Sequence, residues 1–431
     1  MIRGAGALGS MKPYTPAAHP AELPLSLLKH GFRRPFTALT AALAAATLSL
    51  VSGGASAPAL ADTPGAPGAA ARAAPARAIQ GATGPNVPAL EKALRGLPDK
   101  DTTAALVRVG GNGSWHGSAG VRDLPSHRKA LENARFRAGS TTKTVTAALV
   151  LQLAAEGRID LDGTVQRYLP GLLTGAFQPL TVRQLLTFTS GLQPGATLGP
   201  ENGEGYENRF KTLTPEAVVA ASVAKGPYRG PGEGPGKKQR YDNIDYTVLG
   251  LLIEKVTGDS YAHQAAVRIF RPTGMRHTSF PVGPDPRIHG PHNRGYQKLA
   301  DGRLVDATEW NMSDRRAAGD MISTTADLEK FLVALFRGKI VPQPLLDREM
   351  FTVPHIKGAT MSAGLQRYDA GHGKIIWLKT GARPGYNTML AATRDLSRTL
   401  VYSVNAVDAK GEQMNPVAER ITRAAFALPA Q

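Results

Sequence analysis

The chain has no cysteine among its 431 residues. That absence excludes disulfide staples, thiolate-bound metals, thiol nucleophiles and a lipid-carrying N-terminal cysteine. Acidic residues are scarce: 34 Asp and Glu stand against 51 Lys and Arg, for a net charge of +17. Such an excess raises a nucleic-acid partner as one reading. The basic residues are scattered, however, with no Lys/Arg run beyond pairs and no interleaved aromatics. A solvated basic surface suited to anionic cell-wall polymers is the better reading, and no nucleic-acid partner is expected. His289, His292, His372 and the other histidines show no ligand spacing, so neither a metal nor a cofactor is expected. A phosphate loop is absent as well. The glycine-rich stretch 226–236 (GPYRGPGEGPG) loses backbone donors to proline and lacks the required Gly-Lys-Ser/Thr ending.

What is present is globular in character, 42% hydrophobic and 20% charged, with length for one large domain or two ordinary ones. Residues 1–35 form a positively charged lead. The apolar stretch 36–51 (FTALTAALAAATLSLV) comes next, shorter than the roughly 20 residues of a membrane-spanning helix. Small-x-small sites stand at Ala55-Ser56-Ala57 and Ala59-Leu60-Ala61. Together these read as an export signal over 1–61, with a retained membrane anchor as the alternative. Arg33-Arg34-Pro35-Phe36 resembles a twin-arginine signal. The signal holds five basic residues against Glu22, so 5 − 1 = 4 of the positive charges leave with it and 17 − 4 = 13 remain. Residues 62–85 are Pro/Ala-rich and read as a disordered spacer.

The folded part is expected over 86–428. Val87, Leu90, Leu94 and Leu97 recur at helical spacing. Residues 103–109 and 113–121 read as strands around Gly110-Gly111-Asn112-Gly113, and 364–368, 375–379, 387–392 and 400–405 read as antiparallel strands. A last amphipathic helix covers 416–428, and helices with long loops fill about 160–316. The expected fold class is α+β: an antiparallel sheet flanked by N- and C-terminal helices, with an inserted, mostly helical subdomain and a cleft where the two parts meet.

Three short motifs carry chemistry. Ser140-Thr141-Thr142-Lys143 opens an apolar segment with no polar face, and residues three apart share a face on a helical turn. This brings a hydroxyl beside an amine able to take its proton. Tyr241-Asp242-Asn243 precedes a helix over 243–257, and Lys379-Thr380-Gly381 ends the apolar strand Ile375-Ile376-Trp377-Leu378. Each has an ordinary explanation when taken alone: Ser and Lys are common, Tyr241 could be a loop aromatic, Asn243 a helix cap and Lys379 an edge-strand charge. Their joint occurrence in this order overrides those readings.

The order resembles that of serine β-lactamase-like, penicillin-recognising hydrolases, most closely secreted D-alanyl-D-alanine carboxypeptidases with the class C β-lactamase fold. The resemblance rests on FRAGSTTKTVTAALVLQLAAEGRIDLD (136–162), LTVRQLLTFTSGL (180–192), YDNIDYTVLGLLIEKVTG (241–258) and KTGARPGY (379–386), and spans about 86–428. It implies that Ser140 is the acylated nucleophile and that Lys143 assists its deprotonation. Tyr241 would be the general base, held as phenolate by Lys143 and Lys379. Asn243 would position the substrate amide, and Lys379 and Thr380 the substrate carboxylate. The N–H groups of Ser140 and Ala382 would form the oxyanion hole, with Gly381 permitting close approach.

Three positions depart from that pattern. Lys379 stands where many close relatives have His, and Asp242 where Ser is usual. The arginine that binds the substrate carboxylate in the prototype falls by spacing on Gln366, with Arg367 beside it expected to face away. Glu204-x-x-x-Asn208 resembles a deacylation loop only loosely and stands on the wrong side of Tyr241, so it is set aside. The expected activity is that of a secreted, monomeric serine hydrolase forming an acyl-enzyme on Ser140. As a D-alanyl-D-alanine carboxypeptidase it would trim peptidoglycan stems and keep no membrane anchor after cleavage. An esterase, a D-amino-acid amidase or aminopeptidase and a β-lactamase share the chemistry. A β-lactam- or cell-wall-binding protein that acylates without turnover is the alternative of another class.

Overall fold

Alternating side chains sort the strands of this chain onto two faces of one sheet. The computed structural model describes residues 84–428 apart from Val282 and Glu412. The export signal expected over 1–61 and nearly all of the spacer lie outside the described residues. Six strands form the sheet: β1 Thr102–Gly111, β2 Trp115–Gly120, β3 Gln366–Asp369, β4 Ile375–Arg383, β5 Tyr386–Thr393 and β6 Arg398–Ala406. Their order is β2-β1-β6-β5-β4-β3, antiparallel throughout. The two sequence ends meet where β1 pairs β6, with Leu106 opposite Ser403.

Five helices cover the sheet and carry the site: α1 Val87–Leu94, α2 Thr142–Ala155, α3 Ile244–Thr257, α4 Thr325–Phe336 and α5 Pro416–Phe426. On one face of the sheet Ala105, Val107 and Val109 of β1, Leu400, Tyr402 and Val404 of β6, and Ile376 and Leu378 of β4 pack against Leu90 and Leu94 of α1 and Val417, Ile421 and Phe426 of α5. The residues between them, Leu106, Val401 and Trp377, enter a larger core with α2, α3 and α4 on the other face. The period of two thus builds both layers. Each large apolar side chain buried this way contributes about 1.5–3 kcal/mol. This is the expected α+β arrangement. Between β2 and β3 the chain runs mainly through helices and loops, with two small ribbons, Tyr296–Lys298 paired with Leu304–Asp306 and Phe136–Arg137 paired with Ile322–Ser323. Among the described residues no helix is long and apolar enough to cross a membrane.

The fold places the nucleophile candidate at an uncovered sheet edge. The chain reaches α2 through the strand Phe136–Arg137, which pairs with Ile322–Ser323, and then a 3₁₀ turn, Gly139–Thr141. Ser140 therefore precedes α2 instead of opening it. Because a 3₁₀ turn eclipses residues i and i+3, Ser140 and Lys143 still project together. The pairing of β3 with β4 runs from Asp369 opposite Ile375 to Gln366 opposite Leu378, so from Lys379 onward β4 has no strand on that side. The Ser140 turn occupies the space. A Cβ on Gly381 would stand 2.1 Å from the Ala138 carbonyl oxygen and 3.0 Å from the Ser140 nitrogen. Gly381→Ala is therefore expected to push the turn away. It should cost about 1–3 kcal/mol of stability by overpacking and about a hundredfold in acylation by misplacement. Thermal unfolding alongside labelling by a fluorescent penicillin checks both, and undiminished labelling would contradict the packing described.

Candidate active site

Lys143 is wholly buried, at 0% exposure, on the second residue of α2. Its Nζ lies 2.7 Å from Asn243 Oδ1, 2.6 Å from the Ala318 carbonyl oxygen and 3.2 Å from Ser140 Oγ. The first two partners can only accept, so each takes an N–H from the amine. The Ser140 hydroxyl is the one partner that can donate. That hydroxyl can also accept, as it does from Nζ here, and it turns donor once Lys143 is a neutral amine with a free lone pair. Burial is the largest influence and pulls the Lys143 pKa well below its ordinary 10.5; the charges of Lys379 and Arg315 act the same way, while Asp242 opposes them. A buried ammonium without a carboxylate in contact is costly, so the amine form is favoured.

Tyr241 lies in a tight aromatic corner, its ring 4.8 Å from Phe188 and its centroid 5.0 Å from Lys143 Nζ and 4.7 Å from Lys379 Nζ. Burial raises its pKa above the ordinary phenol range; Asp242 adds to this, and the Ser140 hydroxyl and Arg315 oppose it. Burial works against the phenolate expected at Tyr241. Both lysines are themselves driven toward the neutral state, Lys379 to about 7 by burial alone. Burial thus disfavours both the Lys143 ammonium and the Tyr241 phenolate. Lys143 is then the better proton acceptor for Ser140, and Tyr241 a proton carrier.

Asn243 stands just ahead of α3 and offers its amide oxygen to Lys143, leaving its NH₂ group without a partner among the described residues. The departure at Asp242 has a structural use. Its Oδ1 accepts the N–H groups of Asn243 at 2.6 Å and Ile244 at 3.3 Å, satisfying free donors at the start of α3. Lys379 is 3% exposed and donates to the Thr380 carbonyl at 2.9 Å. The Ala382 nitrogen lies 2.6 Å from where a Cβ of Gly139 would be, which places the Ser140 and Ala382 amides on one side of the turn. Ser140, Lys143, Tyr241, Asn243 and the stretch from Lys379 to Ala382 are thus brought together from α2, the α3 approach and the β4 edge.

The register corrects the reading of the preceding strand. Gln366 pairs with Leu378, on the side of α1 and α5, whereas Arg367 pairs with Trp377 and so shares a face with it and with Lys379. Arg367 is exposed there, with its guanidinium 3.6 Å from Asp369. Sequence reasoning passed over Ala318, whose carbonyl carries no sequence signature, and Asp245, buried with its carboxylate 2.5 Å from Ser190 Oγ beneath the site. Among the described residues no group of three His, Asp or Glu side chains is placed to hold a metal.

Residues 90–423 match the beta-lactamase family model. The chain belongs to the beta-lactamase family. The fold of this family member is shared with a D-stereospecific amidohydrolase from Streptomyces sp., 31% identical with a TM-score of 0.70, over 80% of this chain and 100% of that one. A D-amino acid amidase from Ochrobactrum anthropi SV3 is 26% identical with a TM-score of 0.66, over 79% of this chain and 97% of that one. Penicillin-binding protein 4* of Bacillus subtilis is 27% identical over 70% of this chain and 67% of its own length. Other curated relatives, from Staphylococcus aureus, are matched over only 41% of their length.

If neutral Lys143 accepts the Ser140 proton, the acylation rate should rise with pH through a group titrating well below 10.5. Removing the Asp242 charge while keeping its cap, with Asp242→Asn, removes the influence that favours the ammonium. The rising limb should therefore move to lower pH. Single-turnover acylation across pH 4–10 reads this (a range of about six units around the site's groups); a limb that moves upward, or stays fixed, contradicts the assignment.

Proposed function

We propose that this protein is a secreted serine amidohydrolase that cleaves amide bonds at the carbonyl of a D-residue through an acyl-enzyme on Ser140. The observation that carries the reading is the buried Lys143 Nζ, 3.2 Å from Ser140 Oγ and held in place by the Asn243 amide oxygen and the Ala318 carbonyl. Ser140 Oγ attacks the carbonyl carbon as its proton passes to Lys143 Nζ. The developing oxyanion lies against the Ser140 and Ala382 N–H groups. Lys143 returns the proton through the Tyr241 hydroxyl to the leaving nitrogen, the C–N bond breaks, and the amine departs. Water then repeats the sequence on the ester, its proton passing back through the same groups, and releases the acid. Asn243 offers its NH₂ to the acyl amide.

The preference for a D-residue is supported by the two D-specific structural relatives, and the preference for an amide over a strict carboxypeptidase substrate by the Arg367 guanidinium, which is turned toward Asp369. D-alanyl-D-alanine carboxypeptidase activity is the second reading, supported by the likeness to penicillin-binding protein 4*. Export, a cell-wall setting and a monomeric state belong to the same proposal, and the excess of basic residues suits an anionic wall.

The test is a panel of D- and L-alanine p-nitroanilides, a D-Ala-D-Ala peptide, nitrocefin and a p-nitrophenyl ester. The D-anilide should turn over at least about tenfold faster than the L-form, with loss of all activity and labelling in Ser140→Ala. Tyr241→Phe should lower turnover about 10²–10⁴-fold, the usual worth of proton transfer. Equal rates on both enantiomers would remove the stereospecific reading. A Ser140-dependent burst with no steady rate would show a binder instead of an enzyme.

A further inference from the structure

The Ala318 carbonyl lies 2.6 Å from Lys143 Nζ, the shortest of that amine's three hydrogen-bond distances. The residue before it, Ala317, is wholly buried and has a φ of +59°, in the left-handed region that an alanine enters only with strain. Such a conformation persists only where its surroundings fix it. Three groups do so. The Ala317 N–H donates to Asp320 Oδ1 at 3.1 Å. The Ala317 carbonyl oxygen stands 2.6 Å from Thr146 Oγ1 on α2, and that hydroxyl lies 2.7 Å from Tyr261 Oη. A carbonyl can only accept, so Thr146 gives its proton to Ala317 and accepts from Tyr261. Gly250 of α3 leaves room for the Ala317 methyl, since a Cβ added there would stand 2.7 Å from it.

Peptide groups are planar, so the aim of the Ala318 carbonyl follows from what holds the peptides leading to it. The Ala318 and Gly319 N–H groups both donate to the Arg315 carbonyl, at 2.9 and 2.7 Å. Thr146 holds the carbonyl between Ala317 and Ala318. Asp320 holds the first peptide, whose Arg316 carbonyl meets Thr247 Oγ1 only at 3.4 Å. Asp320 is itself 6% exposed and well anchored. Its neighbour Met321 donates to Thr142 Oγ1 at 3.1 Å and accepts the Ala138 N–H at 2.8 Å, which ties it to α2 and to the Ser140 turn. Burial pushes the Asp320 carboxyl up to about 7, against backbone hydrogen bonds and the charges of Arg316 and Arg383. Either form of the carboxyl keeps a lone pair for the Ala317 N–H. What position 320 supplies is an acceptor, with or without a charge.

We propose that Asp320 is a positioning residue for acylation: by holding the Ala317 N–H it keeps the Ala318 carbonyl aimed at Lys143 Nζ, and so keeps that amine on Ser140. This rests on the reading that Lys143 serves Ser140. Asp320 touches neither substrate nor the reacting atoms. Its loss leaves Lys143 buried but free to turn. The ammonium form is then stabilised by one acceptor fewer, so the Lys143 pKa falls further while the amine stands less well for proton transfer.

Single-turnover acylation by a fluorescent penicillin, in the wild type, Asp320→Ala, Asp320→Asn and Thr146→Val, tests this. Asp320→Ala should lower the maximal rate about tenfold to a hundredfold, the scale of a small misplacement, with the half-saturating concentration within about threefold. Asp320→Asn keeps the volume and an acceptor oxygen and should stay within about threefold of wild type. Thr146→Val removes the second hold on Ala317 and should lower the rate in the same way. In Asp320→Ala the rising limb against pH should move to lower pH even as its plateau falls. A general loosening of the fold would expose Lys143 and move the limb upward instead. An unchanged rate, a loss carried by the half-saturating concentration alone, an upward or fixed limb, or Asp320→Asn failing as badly as Asp320→Ala would each overturn the assignment. If Asp320→Ala does not fold, Thr146→Val decides by the same criteria. An NMR titration of Lys143 gives a readout that needs no acylation: its midpoint should fall in Asp320→Ala and hold in Asp320→Asn. That result with a wild type that is never acylated would keep the positioning role and remove the proposed function. An unchanged midpoint beside normal wild-type acylation would do the reverse.

Discussion

The structure depends most on keeping one lysine dry. Lys143 enters a position with no exposure, held between an amide oxygen from the approach to α3 and the Ala318 carbonyl from the turn beyond Arg315. Three separate parts of the chain must be in place for that cage to close. The apolar character of α2, buried almost all round, supplies the floor. Burial then does the chemical work: it makes the ammonium expensive beside the hydroxyl of Ser140. Without that environment the Ser-x-x-Lys spacing would be only a helical ion-binding face.

The second dependence is the uncovered edge of β4. Strand β3 stops opposite Leu378, and the 3₁₀ turn carrying Ser140 fills the remainder, a fit allowed by the missing side chain at Gly381. The edge therefore serves catalysis instead of exposing unpaired backbone groups, a common hazard of sheet edges. It brings the Ala382 amide beside the Ser140 amide and sets Lys379 over the Tyr241 ring. Charge is placed with the same economy. Burial lowers the pKa of both lysines, while Arg383 and Lys410 near the cleft are paired with Glu201.

Much of this was legible in the sequence. Period-two alternation in 103–109 and 400–405 foretold the two faces, and the amphipathic 416–428 foretold the helix that covers one of them. Ser140, Lys143, Tyr241, Asn243 and Lys379-Thr380-Gly381 were visible because their side chains carry chemistry and their order is unusual. What was not legible depended on environment and register. The protonation states of Lys143 and Tyr241 result from burial, which no spacing rule gives. The side on which Arg367 falls is decided by pairing with β4, and a shift of one residue reverses every side chain in a strand. Ala318 works through its backbone, which no side-chain pattern reveals.

The central claim, that Lys143 rests as a neutral amine poised on Ser140, is tested most directly by titrating Lys143 itself. Lysine labelled at the ε carbon, assigned by comparison with a Lys143→Arg sample, reports its own protonation by NMR. The account predicts a midpoint well below the ordinary 10.5 of a lysine, with the amine form established across the range in which the enzyme acylates. A midpoint at or above that ordinary value would mean that Lys143 rests as an ammonium, and Ser140 would need another proton acceptor.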